Sequence, residues 1–262
     1  MILTDTHTHL YYETDPARQQ ELIQRCLEKG IERLFLPNVN VASIPLVRDL
    51  TARFPQNCFP MLGLHPCDIK GEKTEEVVEF REELALIKEA IPEQPIYAIG
   101  EIGIDLYWDK TTLEIQREAF RAQIHWAKEL SLPIVIHCRD AFDEVFAILE
   151  EEQGPDLRGI FHCFTGTLEQ ARKIIDLGFF LGIGGVVTYK NAGLDKVVAQ
   201  LSLDHLVLET DSPYLPPVPF RGKPNESSYL YYVAEKVGDL LQTSIETVAE
   251  KTTQNSKLVF GR

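Results

Sequence analysis

Eight short apolar segments alternate with helical segments along the chain, and this alternation constrains the fold more than any other feature of the sequence. The first segment begins at Ile2. The other seven predicted strands span residues 32–37, 58–65, 96–101, 133–137, 159–164, 179–183 and 206–211. The run from Pro133 to His137 is nearly all apolar, a pattern typical of a parallel strand that is covered on both faces.

The segments between and after these strands show the apolar spacing of amphipathic helices. The predicted helices span residues 17–29, 44–54, 75–90, 113–130, 141–152, 168–177, 194–201, 229–241 and 245–258. Gly30 and Gly178 follow two of them at the place that a C-terminal cap favours. Residues 212–227 are too rich in proline and glycine to form a helix or a strand.

Strands that alternate with helices imply a parallel sheet, and eight such units favour a closed (β/α)₈ barrel, the TIM barrel of the α/β class. A doubly wound open sheet is the alternative. No linker or low-complexity segment interrupts residues 1–262, so we expect a single domain. With 44% hydrophobic residues the chain is long and apolar enough to bury a large core.

Charge and cysteine content limit the environment and the partners. The formal net charge of -14 opposes a broad attraction to polyanions or anionic membranes. No run approaches the roughly 18–20 apolar residues of a membrane span, so we expect no membrane association. Five cysteines, an odd number without Cys-x-x-Cys spacing, favour a reducing cytoplasm. The sequence indicates no obligate protein partner.

Polar residues interrupt the apolar strands at their C-terminal ends. They are His7 and His9 at the first strand, His65 at the third, Glu101 at the fourth, His137 at the fifth, His162 at the sixth and Asp211 at the eighth. In a barrel these ends converge on the face where catalytic groups lie. Each residue alone is compatible with a core histidine, a turn or a surface carboxylate, but a buried cluster of all seven needs a cation to compensate it.

Histidine and carboxylate ligands without thiolates suit Zn²⁺, Mn²⁺ or Fe²⁺, and a carboxylate-rich site also accepts Mg²⁺. Two ions roughly 3.5–4 Å apart are a common arrangement for the hydrolysis of phosphate esters. Glu101 is the candidate bridge between them. Strand alternation predicts that Cys138 and Cys163 face the outer helices, while Arg139 returns toward the site.

Seven short motifs are spread from the first predicted strand to the last long loop. They are Asp5–Leu10 (DTHTHL), Gly63–Pro66 (GLHP), Gly100–Asp105 (GEIGID), His137–Arg139 (HCR), His162–Gly166 (HCFTG), Glu209–Pro213 (ETDSP) and Arg221–Asn225 (RGKPN). In this composition and order they resemble the TatD family of metal-dependent deoxyribonucleases. The resemblance covers nearly the whole chain.

The resemblance implies a (β/α)₈ barrel that holds two divalent metal ions, Mg²⁺, Mn²⁺ or Zn²⁺, at the C-terminal ends of the strands. The implied ligands are His7, His9 and Asp211 for one ion, His137 and His162 for the other, and Glu101 as the bridge.

The resemblance also implies roles beyond metal binding. His65 would lie beside the centre and contact substrate phosphate or water, and Asp211 would accept the proton of the nucleophilic water. Arg139, Arg221 and Lys223 are candidates for phosphate contacts, a role that suits the geometry of a guanidinium.

The implied activity is phosphodiester hydrolysis at the end of a DNA strand by an exonuclease that holds a few single-stranded nucleotides. Tyr107, Trp108 and Tyr214 are candidates for stacking on a terminal base, or for packing at the rim. An amidohydrolase that acts on an amide, a lactone or a nucleobase C–N bond is the alternative enzyme, since His-x-His on strand one occurs there too. Many of those enzymes bridge their metals with a modified lysine, and Glu101 stands in that place here.

A metal-binding scaffold without activity is the alternative outside enzymes, although the presence of all six ligands speaks against it. The sequence departs from common family patterns at a few positions near the rim. Tyr11 and Tyr12 stand where many members have Asp, and Cys67 stands where a second His is frequent. Ser227 and Ser228 stand where Pro is common. These departures leave the ligands intact and bear on substrate preference.

Overall fold

The computed structural model describes residues 1–70 and 79–261. Within them, parallel strands alternate with helices from one end of the chain to the other. The strands are β1 (Leu3–Asp5), β2 (Ile31–Pro37), β3 (Cys58–Met61), β4 (Ile99–Asp105), β5 (Ile134–Arg139), β6 (Gly159–Phe161), β7 (Phe180–Ile183) and β8 (Leu206–Leu208). The α-helices are α1 (Pro16–Glu28), α2 (Ile44–Arg53), α3 (Phe80–Ala90), α4 (Leu113–Leu130), α5 (Phe142–Glu151), α6 (Leu168–Asp176), α7 (Leu194–Val198), α8 (Leu230–Leu241) and α9 (Ile245–Phe260).

Backbone hydrogen bonds close the strands into a ring. Ladders join β1, β2 and β3 into one parallel sheet and β4 through β8 into another. At the β3–β4 seam the N–H of Gly100 donates to the carbonyl of Leu62 at 2.9 Å. At the β8–β1 seam the N–H of Thr6 donates to the carbonyl of Leu208 at 3.0 Å. These bonds make an eight-stranded barrel, so the predicted (β/α)₈ fold is confirmed.

Large apolar side chains fill the barrel near the N-terminal ends of its strands. Val135, Ile160 and Val207, each the second residue of its strand, are fully buried there and pack in one cluster with Phe35. Phe260, the last residue of α9, stacks on Phe35 with a distance of 3.8 Å between ring centroids, so the C-terminal helix covers this end. The opposite end, where the strands finish, is left for polar side chains.

The predicted fourth strand is misplaced. It was expected over residues 96–101, but β4 begins at Ile99 and continues to Asp105 because Ile102 and Ile104 are both fully buried. Its pairing with β5 shifts register between Ile99 and Ile102. Glu101 therefore lies inside the strand, and the prediction that it ends the strand is wrong.

Other boundaries differ as well. The predicted third strand reached His65, but β3 ends at Met61 and His65 instead caps a 3₁₀ turn at Pro66–Asp68. The helix predicted over residues 75–90 is described from Phe80, and its residues 75–78 lie outside the described residues. No helix in residues 1–70 and 79–261 is both long and apolar enough to cross a membrane.

Candidate metal centre

Seven polar side chains meet at the end of the barrel where the strands finish. They are His7 and His9 after β1, His65 after β3, Glu101 in β4, His137 in β5, His162 after β6 and Asp211 after β8. We call these seven residues the ligand cluster. Three groups within it have possible ligand atoms that all lie within 4.8 Å of one another: His7 with His9 and Asp211, His7 with Glu101 and His162, and His65 with Glu101 and His137.

The carboxylate of Glu101 lies at the centre of the ligand cluster and is almost fully buried. Its Oε2 atom lies 3.2 Å from Nε2 of His7 and 3.6 Å from Nε2 of His9. Its Oε1 atom lies 2.9 Å from Nδ1 of His137 and 2.8 Å from Nε2 of His162. The two oxygens of one carboxylate thus face two different pairs of imidazoles.

Several ring nitrogens of the ligand cluster lie unusually close to one another, which indicates whether these residues suit a metal ion. Nε2 of His7 lies 3.3 Å from Nε2 of His9, and Nε2 of His162 lies 3.5 Å from Nδ1 of His137. Asp211 adds a carboxylate oxygen 3.5 Å from Nε2 of His9. So many lone-pair donors directed at one another in a buried place are compensated by a cation, and the residues present fit divalent metal ions.

A backbone hydrogen bond fixes the tautomer of a neutral His65 ring. The N–H of Cys67 donates to Nδ1 of His65 at 3.0 Å, so the proton of the neutral ring lies on Nε2. That Nε2 atom is 3.1 Å from Oε1 of Glu101 and 3.2 Å from Nδ1 of His137. His65 is therefore arranged as a hydrogen-bond donor at the edge of the ligand cluster.

Three side chains for which no role at the metal centre was predicted lie behind the ligands, and one of them, Tyr11, is almost fully buried although it was expected near the rim. Asp105 Oδ2 lies 2.8 Å from Nε2 of His137, the ring nitrogen that faces away from Glu101. The hydroxyl of Tyr11 lies 2.8 Å from Nδ1 of His9.

The third of these side chains is the fully buried Glu209. Its Oε1 atom lies 3.4 Å from Nδ1 of His162 and accepts a hydrogen bond from the N–H of Cys163 at 2.6 Å. Partners of this kind hold the ring orientation and tautomer of a metal-binding histidine. We call Tyr11, Asp105 and Glu209 the supporting residues.

One signal in the sequence pointed to all three supporting residues. Each lies an even number of positions from a predicted ligand: Tyr11 is two after His9, Asp105 is four after Glu101, and Glu209 is two before Asp211. Side chains two apart in an extended segment share a face. The alternation of side chains that predicted Arg139 near the site could therefore have predicted these three residues too.

Electrostatics keep the carboxylates of the ligand cluster ionised. Burial acts to raise the pKa of Glu101, but the facing His162 and His65 help to hold that pKa well below its usual range. Burial likewise opposes ionisation of Asp211, yet its hydrogen bond with His9 and the nearby imidazoles lower its pKa. Both side chains therefore offer negative oxygens to a cation.

Every member of the ligand cluster except the fully buried His7 lines the floor of a cavity of about 630 Å³. Arg139 lines this cavity, as strand alternation predicted. Arg221 and Lys223 are exposed outside its lining, and the guanidinium of Arg221 instead lies 4.1 Å above the ring centroid of Tyr189. Of the three predicted phosphate contacts, only Arg139 reaches the cavity.

The prediction that Cys138 and Cys163 turn away from the site is wrong, because both line the cavity. Cys163 follows the end of β6 and has a φ of 45°, so the alternation of an extended strand no longer applies to it. Cys138 does pack against the apolar core as predicted, but the residue also lines the cavity. Burial raises the pKa of both thiols, which disfavours thiolate ligation.

Comparisons with known proteins agree with this geometry. A family model described as TatD related DNase matches residues 4–261. The chain belongs to the TatD family of metal-dependent hydrolases. It is 42% identical to an uncharacterized metal-dependent hydrolase of Bacillus subtilis strain 168, YabD, over 99% of both chains. It is 33% identical to the Escherichia coli K12 hydrolase YcfH, also uncharacterized, over 99% of this chain and 96% of that one.

A solved structure of the same family has the same fold. The crystal structure of YjjV, a TatD homologue from Escherichia coli K12, superposes with a TM-score of 0.89 at 28% identity, covering 99% of this chain and 98% of that chain. The resemblance drawn from the sequence motifs is therefore confirmed, both for the family and for the fold.

Proposed function

We propose that this TatD-family hydrolase cleaves phosphodiester bonds at the ends of DNA strands, with two divalent metal ions held by the ligand cluster. Its proposed metal ligands are the six residues expected from the sequence: His7, His9 and Asp211 for one ion, His137 and His162 for the other, and Glu101 between them. Mg²⁺, Mn²⁺ and Zn²⁺ are the candidate ions.

The placement of Glu101 carries this proposal. Oε2 faces the imidazoles of His7 and His9, and Oε1 faces those of His137 and His162. A buried carboxylate with one oxygen directed at each pair is the arrangement of a bridging ligand. When bound, two ions would lower the pKa of a coordinated water and offset charge on the phosphoryl and leaving oxygens.

Three residues of this chain supply the remaining chemistry. Asp211 has an ionised carboxylate beside His9 and accepts the proton of the attacking water. His65 carries its proton on Nε2 and donates it as a hydrogen bond to a phosphate oxygen. Arg139 adds a guanidinium at the cavity wall, where it neutralises substrate charge.

A net charge of -14 is compatible with this substrate if the positive charge is local. Two bound ions would lie together with Arg139 in one cavity, so the attraction would be confined to the few phosphates that enter it. The cavity volume of about 630 Å³ also suits a short single-stranded segment, and a duplex does not fit inside it.

The test is a substrate comparison with metal-loaded protein. We expect mononucleotides to be released stepwise from end-labelled single-stranded DNA in the presence of Mg²⁺ or Mn²⁺, and no release in EDTA. The same preparation is set beside dihydropyrimidine and lactone substrates, which an amidohydrolase would prefer. Turnover of either of these without nucleotide release would contradict the proposal.

A further inference from the structure

Two aromatic rings stand over the part of the cavity that follows β8 and β1. The ring of Tyr12 is stacked on that of His9, with 5.3 Å between centroids and 13° between planes. The ring of Tyr214 meets His9 edge-on at 6.1 Å. Both tyrosines line the cavity and stay partly exposed, with 39% of Tyr12 and 53% of Tyr214 accessible to solvent. We call Tyr12 and Tyr214 the β8–β1 wall.

A second aromatic group stands over the part that follows β4 and β5. Trp108 is 71% exposed and lines the cavity. The guanidinium of Arg139 lies 3.7 Å above the ring centroid of Tyr107 and 5.7 Å above that of Trp108. Asp105 accepts hydrogen bonds from the N–H groups of Tyr107 and Trp108 at 2.9 and 3.2 Å, which fixes the start of this loop. We call Tyr107, Trp108 and Arg139 the β4–β5 wall.

The two walls face each other across the ligand cluster. In a ring of eight strands, the β8–β1 seam lies half a turn from the β4–β5 pair. Strands about 4.8 Å apart and tilted by about 36° place opposite strands about 15 Å apart. The bases of a stacked strand are only about 3.4 Å apart. Opposite strands are therefore several times farther apart than two adjacent stacked bases, so binding of one base at each wall favours a step whose bases are separated.

We propose that the two walls each hold one nucleoside of the scissile step, so that the phosphodiester over the ligand cluster is bound with its flanking bases splayed apart. This inference rests on the proposed function and adds to it the unit that is recognised: a dinucleoside step with a base on each side of the phosphate. Flat aromatic and guanidinium surfaces accept any base, because every base presents a π-face.

The splayed geometry has a direct consequence for the substrate. A step inside a duplex is stacked and paired, so its bases must first separate before they reach the two walls. Strand ends and single-stranded segments reach this state with less cost in free energy. Tyr12 places an aromatic ring in the β8–β1 wall of this chain.

Three small diesters distinguish the contributions of the two walls to substrate binding. One is the dithymidine monophosphate, with a nucleoside on each side of the phosphate. The other two are the 3′- and the 5′-methyl phosphate esters of thymidine, in which a methyl group replaces one nucleoside. We measure kcat and KM of Mn²⁺-loaded protein for all three, and we repeat the series with Trp108→Ala and Tyr214→Ala.

We expect each variant to raise KM for the dithymidine about tenfold, since base stacking on an aromatic ring is lost. For each variant, KM should stay unchanged for the methyl ester that lacks the nucleoside held by the removed ring. The unchanged ester should therefore be a different one for Trp108→Ala and for Tyr214→Ala. Trp108→Phe and Tyr214→Phe keep a ring and should restore KM. Tyr231→Ala serves as control, because its ring packs beside Lys29 at the C-terminal end of α1. Equal effects of both variants on all three diesters, or no effect, would overturn the proposal.

A binding measurement distinguishes failure of this inference from failure of the proposed function. Trp108 is the exposed member of the two tryptophans and Trp126 is buried, so base stacking should quench the emission of Trp108. The probe is a dithymidine in which a methylene group replaces a bridging oxygen, so that the linkage resists hydrolysis and keeps its negative charge. The protein could quench on binding the probe, with an affinity that Tyr214→Ala lowers about tenfold, and yet hydrolyse no diester. This result would refute the proposed activity and support base binding by the two walls. Hydrolysis without quenching would refute the walls and keep the activity.

Discussion

The ligand cluster and the two aromatic walls above it lie in one cavity, yet they are held in opposite ways. The ligands are mostly buried, and three of their imidazoles meet Tyr11, Asp105 or Glu209 on the side away from the centre. The walls are exposed loop side chains held by ring contacts and one guanidinium. The ligand cluster thus has a fixed geometry, whereas the walls can adapt to the substrate. Mutations in the ligand cluster should therefore change the rate of hydrolysis, and mutations in the walls should change substrate binding.

The strongest expected difference comes from the centre of the floor. Glu101→Gln removes the charge that faces both pairs of imidazoles, so we expect loss of hydrolysis on the order of a thousandfold or more, together with loss of bound metal. Nucleotide release and metal content of the purified variant measure this. Glu246→Gln makes the same chemical change at an exposed position of α9 and should alter neither quantity. Normal metal content and a normal rate of hydrolysis in Glu101→Gln would show that the ligand cluster is no more sensitive to mutation than the aromatic walls.

Asp211→Asn distinguishes the role of Asp211 in metal binding from its role as proton acceptor. The amide keeps an oxygen for a metal but cannot accept a proton, so we expect hydrolysis to fall by about 10²–10⁴ while most of the metal is retained. The check is kcat beside metal content in the same sample. An unchanged kcat would refute the role of Asp211 as proton acceptor.

The supporting residues test whether the floor depends on partners behind the ligands. Asp105→Ala leaves Nε2 of His137 without its carboxylate, and we expect metal affinity to fall by about 10- to 100-fold. Metal titration of chelator-treated protein measures the shift. Glu209→Gln should shift it in the same direction through His162, whereas a variant at either position with wild-type affinity would show that the ligands hold their geometry unaided.

The smallest expected effects lie at the rim and distinguish two arginines. Arg139 and Arg221 both lie over tyrosine rings, but only Arg139 lines the cavity. Arg139→Ala should raise KM for single-stranded DNA about tenfold, as expected for a lost charged contact, with little change in kcat. Arg221→Ala is the matched control and should change KM by about twofold or less, the small effect of an exposed charge. A larger effect for Arg221→Ala would place substrate outside the cavity.

The same contrast explains what the sequence could predict. The eight βα units were predictable because apolar segments and helical spacing are local signals, and α4 has the predicted bounds of 113 and 130. The ligand cluster was predictable because polar residues stand out where apolar strands end. Spacing could place Asp105, Glu209 and Tyr11 on the same face as a ligand, but their supporting role was missed because it depends on distances to ring nitrogens.

The errors have local causes in the backbone. Strand β4 was placed too early because Ile96 and Tyr97 extend the apolar run in front of it, while pairing begins at Ile99. Cys163 was assigned to the wrong side because alternation was carried past the end of β6 into a turn with positive φ. Side-chain direction is predictable from spacing only while the strand stays extended.

The central claim is that one carboxylate bridges two ions that act together on a phosphodiester, and stepwise metal addition tests it most directly. Metal-free protein receives Mn²⁺ in fractions of one equivalent while mononucleotide release from end-labelled single-stranded DNA is followed. We expect release to stay low until one equivalent is bound and to rise to its maximum at two. Full activity at one equivalent, with no further rise at two, would contradict it.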